Sequence, residues 1–352
     1  MPGLNLRRLG AAAAFGIGLG TAPASRAANV PDAAREAGSR LRADQKPGGY
    51  WLTAFTPSAH FGSPNLELNT FLPAMLLTVL DPAAGQAGLS DVAARARGFV
   101  SSQIEASGLV RYYGRTDGNH PPGYGGAIAP DADDTALAWT TAGGDAAQAP
   151  RVVAALDSHR TPAGLYRTWL SAPGSLVGVN PGSDPNPPDI GIQLDVLAFL
   201  ARYDSAGATR LLGALRPLAQ RESLWVYYRK TPLVPLLRGA ELRRLGYGVD
   251  LPAGLVRASV PGQAVWVRAC ELLSGYISGT APGPSPAETA VLLARLSGGG
   301  FSEVRGNPPL LYHNDLSASV GRYYWSEDFG YALWIRLSRE YALASAGGAP
   351  RR

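Results

Sequence analysis

Pro130-Asp131-Ala132-Asp133-Asp134-Thr135-Ala136 sets three carboxyls within four residues at the start of an apolar stretch. Crowded carboxyls in a partly dry setting raise one another's pKa, so at least one stays protonated, and hydrogen bonds can aim its proton at a bound molecule. The same residues also suit an ordinary helix N-terminus, with Asp131 or Asp133 as cap and Asp134 meeting the helix dipole. A triple acid exceeds what a cap requires.

Other acids accompany apolar stretches. Asp189-Ile190-Gly191-Ile192-Gln193-Leu194-Asp195 opens one, with Asp189 in a capping position and Asp195 six residues further in, where burial demands a partner. Glu67 with Asn69, and Glu327 with Asp328, hold similar positions early and late in the chain. The single cysteine, Cys270, excludes an internal disulfide and a cysteine metal cage. His60, His120, His159 and His313 lie far apart with no ligand spacing, so neither a metal nor another cofactor is expected. Asn314-Asp315 resembles the start of a metal motif, but Arg322 stands where its acidic member belongs. Arg111, Arg115, Arg167, Arg229 and Lys230 could clamp a diphosphate, although solvated surface side chains account for them more simply.

A repeat supplies the elements that would position these groups. Gln45 to Trp51 reads Gln-x-x-x-Gly-x-aromatic; Arg160 to Tyr166 and Arg295 to Phe301 keep the offsets, while Gln103 to Leu109 and Gln220 to Trp225 are looser copies. The lead positions are 58, 57, 60 and 75 residues apart. One-sided amphipathic stretches precede the copies: Asp32–Leu41, Asp91–Ser102, Arg151–Asp157, Ala208–Leu218 and Ala287–Ala294. More apolar stretches follow: Leu66–Leu80, Asp134–Thr141, Asp189–Arg202, Leu233–Leu245 and Glu327–Leu343. Helices apolar nearly all round must be enclosed by protein, whereas one-sided helices can form an outer layer. An all-α fold is therefore expected, a toroid (α/α barrel) of paired outer and inner helices, with an open solenoid as the alternative. In the toroid the inner helices' N-termini gather at one end.

The repeats and the Asp-x-Asp-Asp-Thr segment together resemble the terpenoid-cyclase superfamily that includes squalene–hopene cyclases and class II diterpene cyclases, over most of residues 32–343. The resemblance implies a class II reaction, in which a carboxylic acid protonates an alkene or epoxide of a polyprenoid and starts carbocation cyclisation. It makes Asp133 the acid, with Asp131 and Asp134 tuning and holding it. Carbocations are stabilised by π faces and quenched by water, so aromatic walls are also required. Trp139, Trp325 and Phe329 are the foremost candidates, with Asp195 as a further substrate-side group, though most large aromatics of a toroid simply fill its core.

Residues 1–27 run from a basic start through a short apolar segment to Thr21-Ala22-Pro23-Ala24-Ser25-Arg26-Ala27, the order of an export signal, and Arg7-Arg8 points to the twin-arginine route. A periplasmic or secreted protein is expected, with one toroid over 28–343 and a loose tail over 344–352. Removing residues 1–27 takes away three arginines and no acid, so the formal charge of +5 falls to +2, which gives no case for a nucleic-acid partner. The expected partner is a polyprenoid or other hydrophobic small molecule. A single toroid leaves its cavity mouth to be closed by its own loops, a second copy, or a membrane surface. Two other functions fit an exported toroid: glycan cleavage by an acid pair such as Asp133 with Asp195 or Glu327, and non-catalytic binding of a lipid or protein.

Overall fold

The computed structural model describes residues 30–115, 128–172, 184–257, 260–279, 283–314 and 322–347; the expected export signal lies outside the described residues. Its outer helices are α1 (Val30–Asp44), α3 (Ser90–Gln103), α5 (Ala149–Asp157), α7 (Ser205–Leu215) and α10 (Pro286–Gly306). The helices following them are α2 (Phe71–Ala84), α4 (Ala132–Thr141), α6 (Ile190–Tyr203), α8 (Leu233–Arg244) and α11 (Glu327–Ser345). The periodicities explain the layers. α6 is buried without interruption from Ile190 to Leu200, whereas α1 buries only Ala33, Ala37, Gly38 and Leu41.

A further helix, α9 (Ala264–Ser278), was not expected from the sequence. It accounts for the longer 75-residue interval between the fourth and fifth turn copies. Packing runs α2 to α4 to α6 to α8 to α9 to α11, and α11 returns to α2. The ring is closed, so the fold is an α/α toroid and not an open solenoid.

Side-chain hydrogen bonds fasten the turns. Gln45 Nε2 donates to the Gly49 and Val92 carbonyls at 3.1 and 3.0 Å, and Trp51 Nε1 donates back to Leu41 O at 3.0 Å. Trp225 repeats the last contact onto Ala219 O at 3.1 Å, and Trp139 donates to Gly108 O at 2.7 Å. In the fifth copy the glycines end one helical segment of α10 and a second follows: residues Gly298 to Phe301 leave helical geometry and Phe301 takes φ +64°. Its ring is buried edge-on to Tyr331 and Trp334, and that burial holds a backbone conformation costly for a side chain with a Cβ.

Small sheets sit among the helices. β1 (Thr53–Thr56), β2 (Asn65–Glu67), β5 (Leu310–Asn314) and β6 (Arg322–Trp325) form one antiparallel sheet ordered β2-β1-β6-β5; β3 (Val110–Arg111) and β4 (Pro130–Asp131) form a two-stranded pair. One expectation is corrected. Leu66 and Glu67 belong to a strand and not to the first inner helix; Tyr323 to Trp325 lie in another strand of the same sheet. α11 also runs to Ser345, two residues into the segment expected to be loose, and residues 348–352 lie outside those described.

Gly49 tests the turn. It has φ +90°, and a Cβ there would lie 2.3 Å from the Arg95 carbonyl oxygen, a backbone atom of α3 that cannot swing away. Gly49→Ala is expected to lower unfolding free energy by roughly 2–3 kcal/mol in urea titrations; an unchanged midpoint would show that the turn does not fasten α1 to α3.

Candidate active site

The three aspartates converge at the N-terminus of α4. Asp131 has the extended backbone of a cap and its Oδ1 accepts the Asp134 N–H at 2.8 Å. Thr135 Oγ1 accepts the Val110 N–H at 3.0 Å, tying the helix to β3. The capping reading of Asp131 thus holds, but it accounts for only one oxygen. Asp131 Oδ2 and both oxygens of Asp134 are buried without a hydrogen-bond partner. Asp133 alone of the three keeps accessible surface.

Burial is the main reason that all three carboxyls titrate above the usual aspartate range. Repulsion from neighbouring aspartates adds to it at Asp131 and Asp134. One oxygen from each lies within 4.8 Å of the others, a spacing that a divalent cation could also bridge.

Further polar and aromatic groups surround the cluster. Asp195 Oδ1 receives Arg238 Nε at 2.6 Å, and Arg238 also donates to Glu241 at 2.7 Å and to Thr78 Oγ1 at 3.4 Å. These contacts join α6 and α8 to α2, on opposite sides of the ring, and make a floor roughly 10 Å below the helix starts. Burial raises Asp195 to about 7 despite the Arg238 charge. Asp189 caps α6 through Gly191 N–H at 2.7 Å, and its other oxygen accepts the Val226 and Tyr227 N–H groups at 2.7 and 2.8 Å. It is a structural hub, also raised to about 7 by burial.

The four-stranded sheet is the lid. Residues opposite or two apart on antiparallel strands share a face. Register therefore puts Glu67, Phe55, Tyr324 and Tyr312 on one face. Tyr312 stacks on Tyr324 with centroids 4.4 Å apart and meets Phe71, at the start of α2, at 4.9 Å. Beside β5, Thr231 Oγ1 donates to Leu310 O at 2.6 Å just ahead of α8, so the sheet reaches from the start of α2 to that of α8 across the ring. Tyr228 completes the wall. A Cβ on Gly191 would lie 2.1 Å from its ring, so the absent side chain lets Tyr228 lie against α6, where its hydroxyl feels Asp133, Asp195, Asp189 and Asp134.

Several expected site residues lie elsewhere. Trp139 is near the far end of α4, wedged edge-on against Phe199 and Tyr203. Trp325 occupies the opposite face of the lid, beside Phe61, Ala54, Val260 and Leu310, because strand alternation sends Tyr324 inward in its place. Phe329 is fully buried in the first turn of α11. Glu327 and Asp328 have Asp44 as a shared charged neighbour, on the α1 side of the ring, and do not join the Asp133 cluster. Arg111 pairs with Glu105, Arg167 with Asp184 and Arg229 with Glu222, so local carboxylates occupy them. Tyr112, Tyr228, Tyr312, Tyr324 and Arg238 surround the acids and were not picked out from the sequence. The one signal among them was Arg238, a cation set in the apolar run Leu233 to Ala240.

No protein-family profile matches the chain, and no curated protein matches it in sequence. Solved structures do. A protein from Actinoplanes superposes with a TM-score of 0.59 at 14% identity, covering 89% of this chain and 100% of that one. A variant of the type II terpene cyclase MstE from Scytonema, in complex with geranylgeranyl dihydroxybenzoate, gives 0.53 at 15% identity over 90% of this chain and 97% of its own. The same enzyme without ligand gives 0.51 at 16% identity over 90% and 99%. At these identities the shared property is the α/α-toroid fold.

Buried acids with raised pKa set the direction of pH dependence. Between the ordinary aspartate value of 3.8 and about 7, native Asp189 holds a proton that the unfolded chain has released, and native Asp134 shifts in the same direction. Their contribution to stability is therefore full at low pH and lost as pH rises through that window. Thermal melting is expected to fall by roughly 3 °C or more between pH 5 and pH 8, with a smaller fall in Asp134→Asn. A melting temperature that rises over that interval would contradict the burial of these acids.

Proposed function

We propose that the protein is a class II terpene cyclase-like isomerase in which Asp133 protonates an alkene or epoxide of a polyprenoid. One observation carries this reading: of three mutually repelling carboxyls beneath an aromatic lid, Asp133 is the one with accessible surface. Burial keeps a proton on the cluster, and the accessible surface offers it outward at that residue. Asp131, fixed by its capping bond, and Asp134, bare of donors, keep negative charge from settling on the cluster before substrate arrives.

Proton transfer forms a C–H bond at one alkene carbon and leaves the positive charge on its neighbour. Tyr228, Tyr312, Tyr324 and Phe71 form a contiguous buried aromatic cluster beside the acids, a composition that suits a migrating cation and keeps out the water that would quench it. The fold shared with MstE supports the reading and makes a prenylated aromatic acid such as geranylgeranyl dihydroxybenzoate the first substrate to try. A single toroid spans nearly all of that enzyme, so one toroid per chain is compatible with cyclase chemistry. Glycan cleavage is less favoured, because Asp195, the acid nearest in role to a second catalytic carboxylate, is committed to Arg238. The amino-terminal segment supports an exported enzyme acting at or near a membrane surface.

Asp133→Asn is expected to abolish cyclisation, a loss of ~10³-fold or more, while circular dichroism and melting stay close to wild type. Chelation by EDTA is expected to leave the rate unchanged, since the acid needs no metal. Full activity in Asp133→Asn, or an EDTA-sensitive rate restored by magnesium, would overturn the assignment.

A further inference from the structure

The lid carries a carboxyl that the acid cluster does not explain. Glu67 sits on the edge strand β2, on the same face as Phe55, Tyr324 and Tyr312. Its Oε1 accepts hydrogen bonds from the Tyr112 hydroxyl and from Asn69 Nδ2, the latter at 3.2 Å. Its other oxygen has no hydrogen-bond partner among the described residues, although Glu67 is only half-exposed. The Tyr112 hydroxyl lies 2.6 Å from that of Tyr312 and accepts from Asn69 at 3.1 Å. Since Tyr112 donates to Glu67, Tyr312 donates to Tyr112, and the chain of hydroxyls points at the carboxylate.

The carboxyl is held differently from that of Asp134. There two buried oxygens receive no donor; at Glu67 two donors converge on one oxygen and oppose, without outweighing, the burial that moves its titration above the ordinary glutamate value. One aromatic cluster links the two groups: the Tyr312 ring meets Phe71 and Tyr228, feels the charge of Asp134, and connects through Tyr112 to Glu67. Glu67, fixed at one oxygen by two donors and with its second oxygen unbonded, is placed to accept a proton, and its burial makes it a stronger base than an ordinary glutamate.

We propose that Glu67 is the terminating base of the reaction, removing a proton from the carbon next to the final carbocation and so fixing the position of the product double bond. The proposal rests on the reading of Asp133 as initiating acid. Asp133 loses a proton to the substrate alkene, ring closures move the positive charge without changing composition, and Glu67 takes a proton from the cyclised skeleton. The electron pair of that C–H bond becomes the new C=C bond. Substrate and product are isomers, one proton has passed from Asp133 to Glu67, and exchange with water after product release restores both groups. Tyr112 and Asn69 are positioning residues that hold the accepting carboxylate.

The test uses the full chain with squalene, geranylgeranyl diphosphate and geranylgeranyl dihydroxybenzoate, with product analysis by mass spectrometry. Glu67→Gln is expected to slow turnover and to shift products from the wild-type cyclic alkene toward water-trapped alcohols or a displaced double bond, by about tenfold in ratio. Tyr112→Phe, which keeps the carboxylate but frees its aim, is expected to give a smaller shift in the same direction. Unchanged product ratios in both variants would overturn the role of Glu67 while leaving Asp133 standing. If Glu67→Gln fails to fold, Glu67→Asp and Tyr112→Phe decide the matter by the same ratio. A wild-type chain that consumes none of the three substrates, or an Asp133→Asn chain that consumes them normally, would overturn the reading on which the proposal rests.

Discussion

A carboxyl group stays protonated near neutral pH only where water cannot solvate its charge, and that requirement organises the molecule. Asp131, Asp133 and Asp134 crowd one helix start, and their mutual repulsion would be relieved by ionisation into solvent if the ring were open there. Closure of α11 onto α2 completes the ring around the cluster, the Arg238–Asp195 pair lies further along the inner helices, and the four-stranded sheet spans the helix starts. The sheet lets a lone toroid cover its cavity end with segments from opposite ends of its own chain.

The floor carries a cost. An ion pair this deep gives up hydration on both sides, and replacing it by apolar packing is often neutral for stability. Its geometry suggests a different use: Arg238 reaches Asp195, Glu241 and Thr78, fixing the spacing of three inner helices at once. Asp189 does the same at the rim, where one carboxylate caps α6 and receives two N–H groups of the following turn. Polar groups thus set the spacing of the inner helices, and aromatic rings pack beside the acids.

Much of the ring was legible in the sequence because its signals are local. Five amphipathic and five apolar stretches, the punctuating glycines and the aspartate triad are each contained within a few turns of chain, and a helix formed over every stretch, the exceptions to the expected bounds being the strand at Leu66–Glu67 and the helical segment that follows Phe301. The lid was illegible for the converse reason. β1, β2 and β6 are three or four residues long, with no periodicity to read, and they exist only through pairing between residues such as Ala54 and Trp325. Missing the strand also misassigned Trp325, since alternation decides which of Tyr324 and Trp325 looks inward. Helix α9 escaped notice because no repeat turn of the Gln-Gly-aromatic form announces it, although its own residues are amphipathic.

The central claim is that the triad holds a proton at Asp133 under conditions where ordinary aspartates are ionised. An infrared pH titration of wild-type protein minus Asp133→Asn measures this without any substrate. The account predicts a protonated-carboxyl C=O band that is lost in Asp133→Asn and that titrates well above the ordinary aspartate range. A difference spectrum in which only a carboxylate, titrating in the ordinary range, is lost would contradict it.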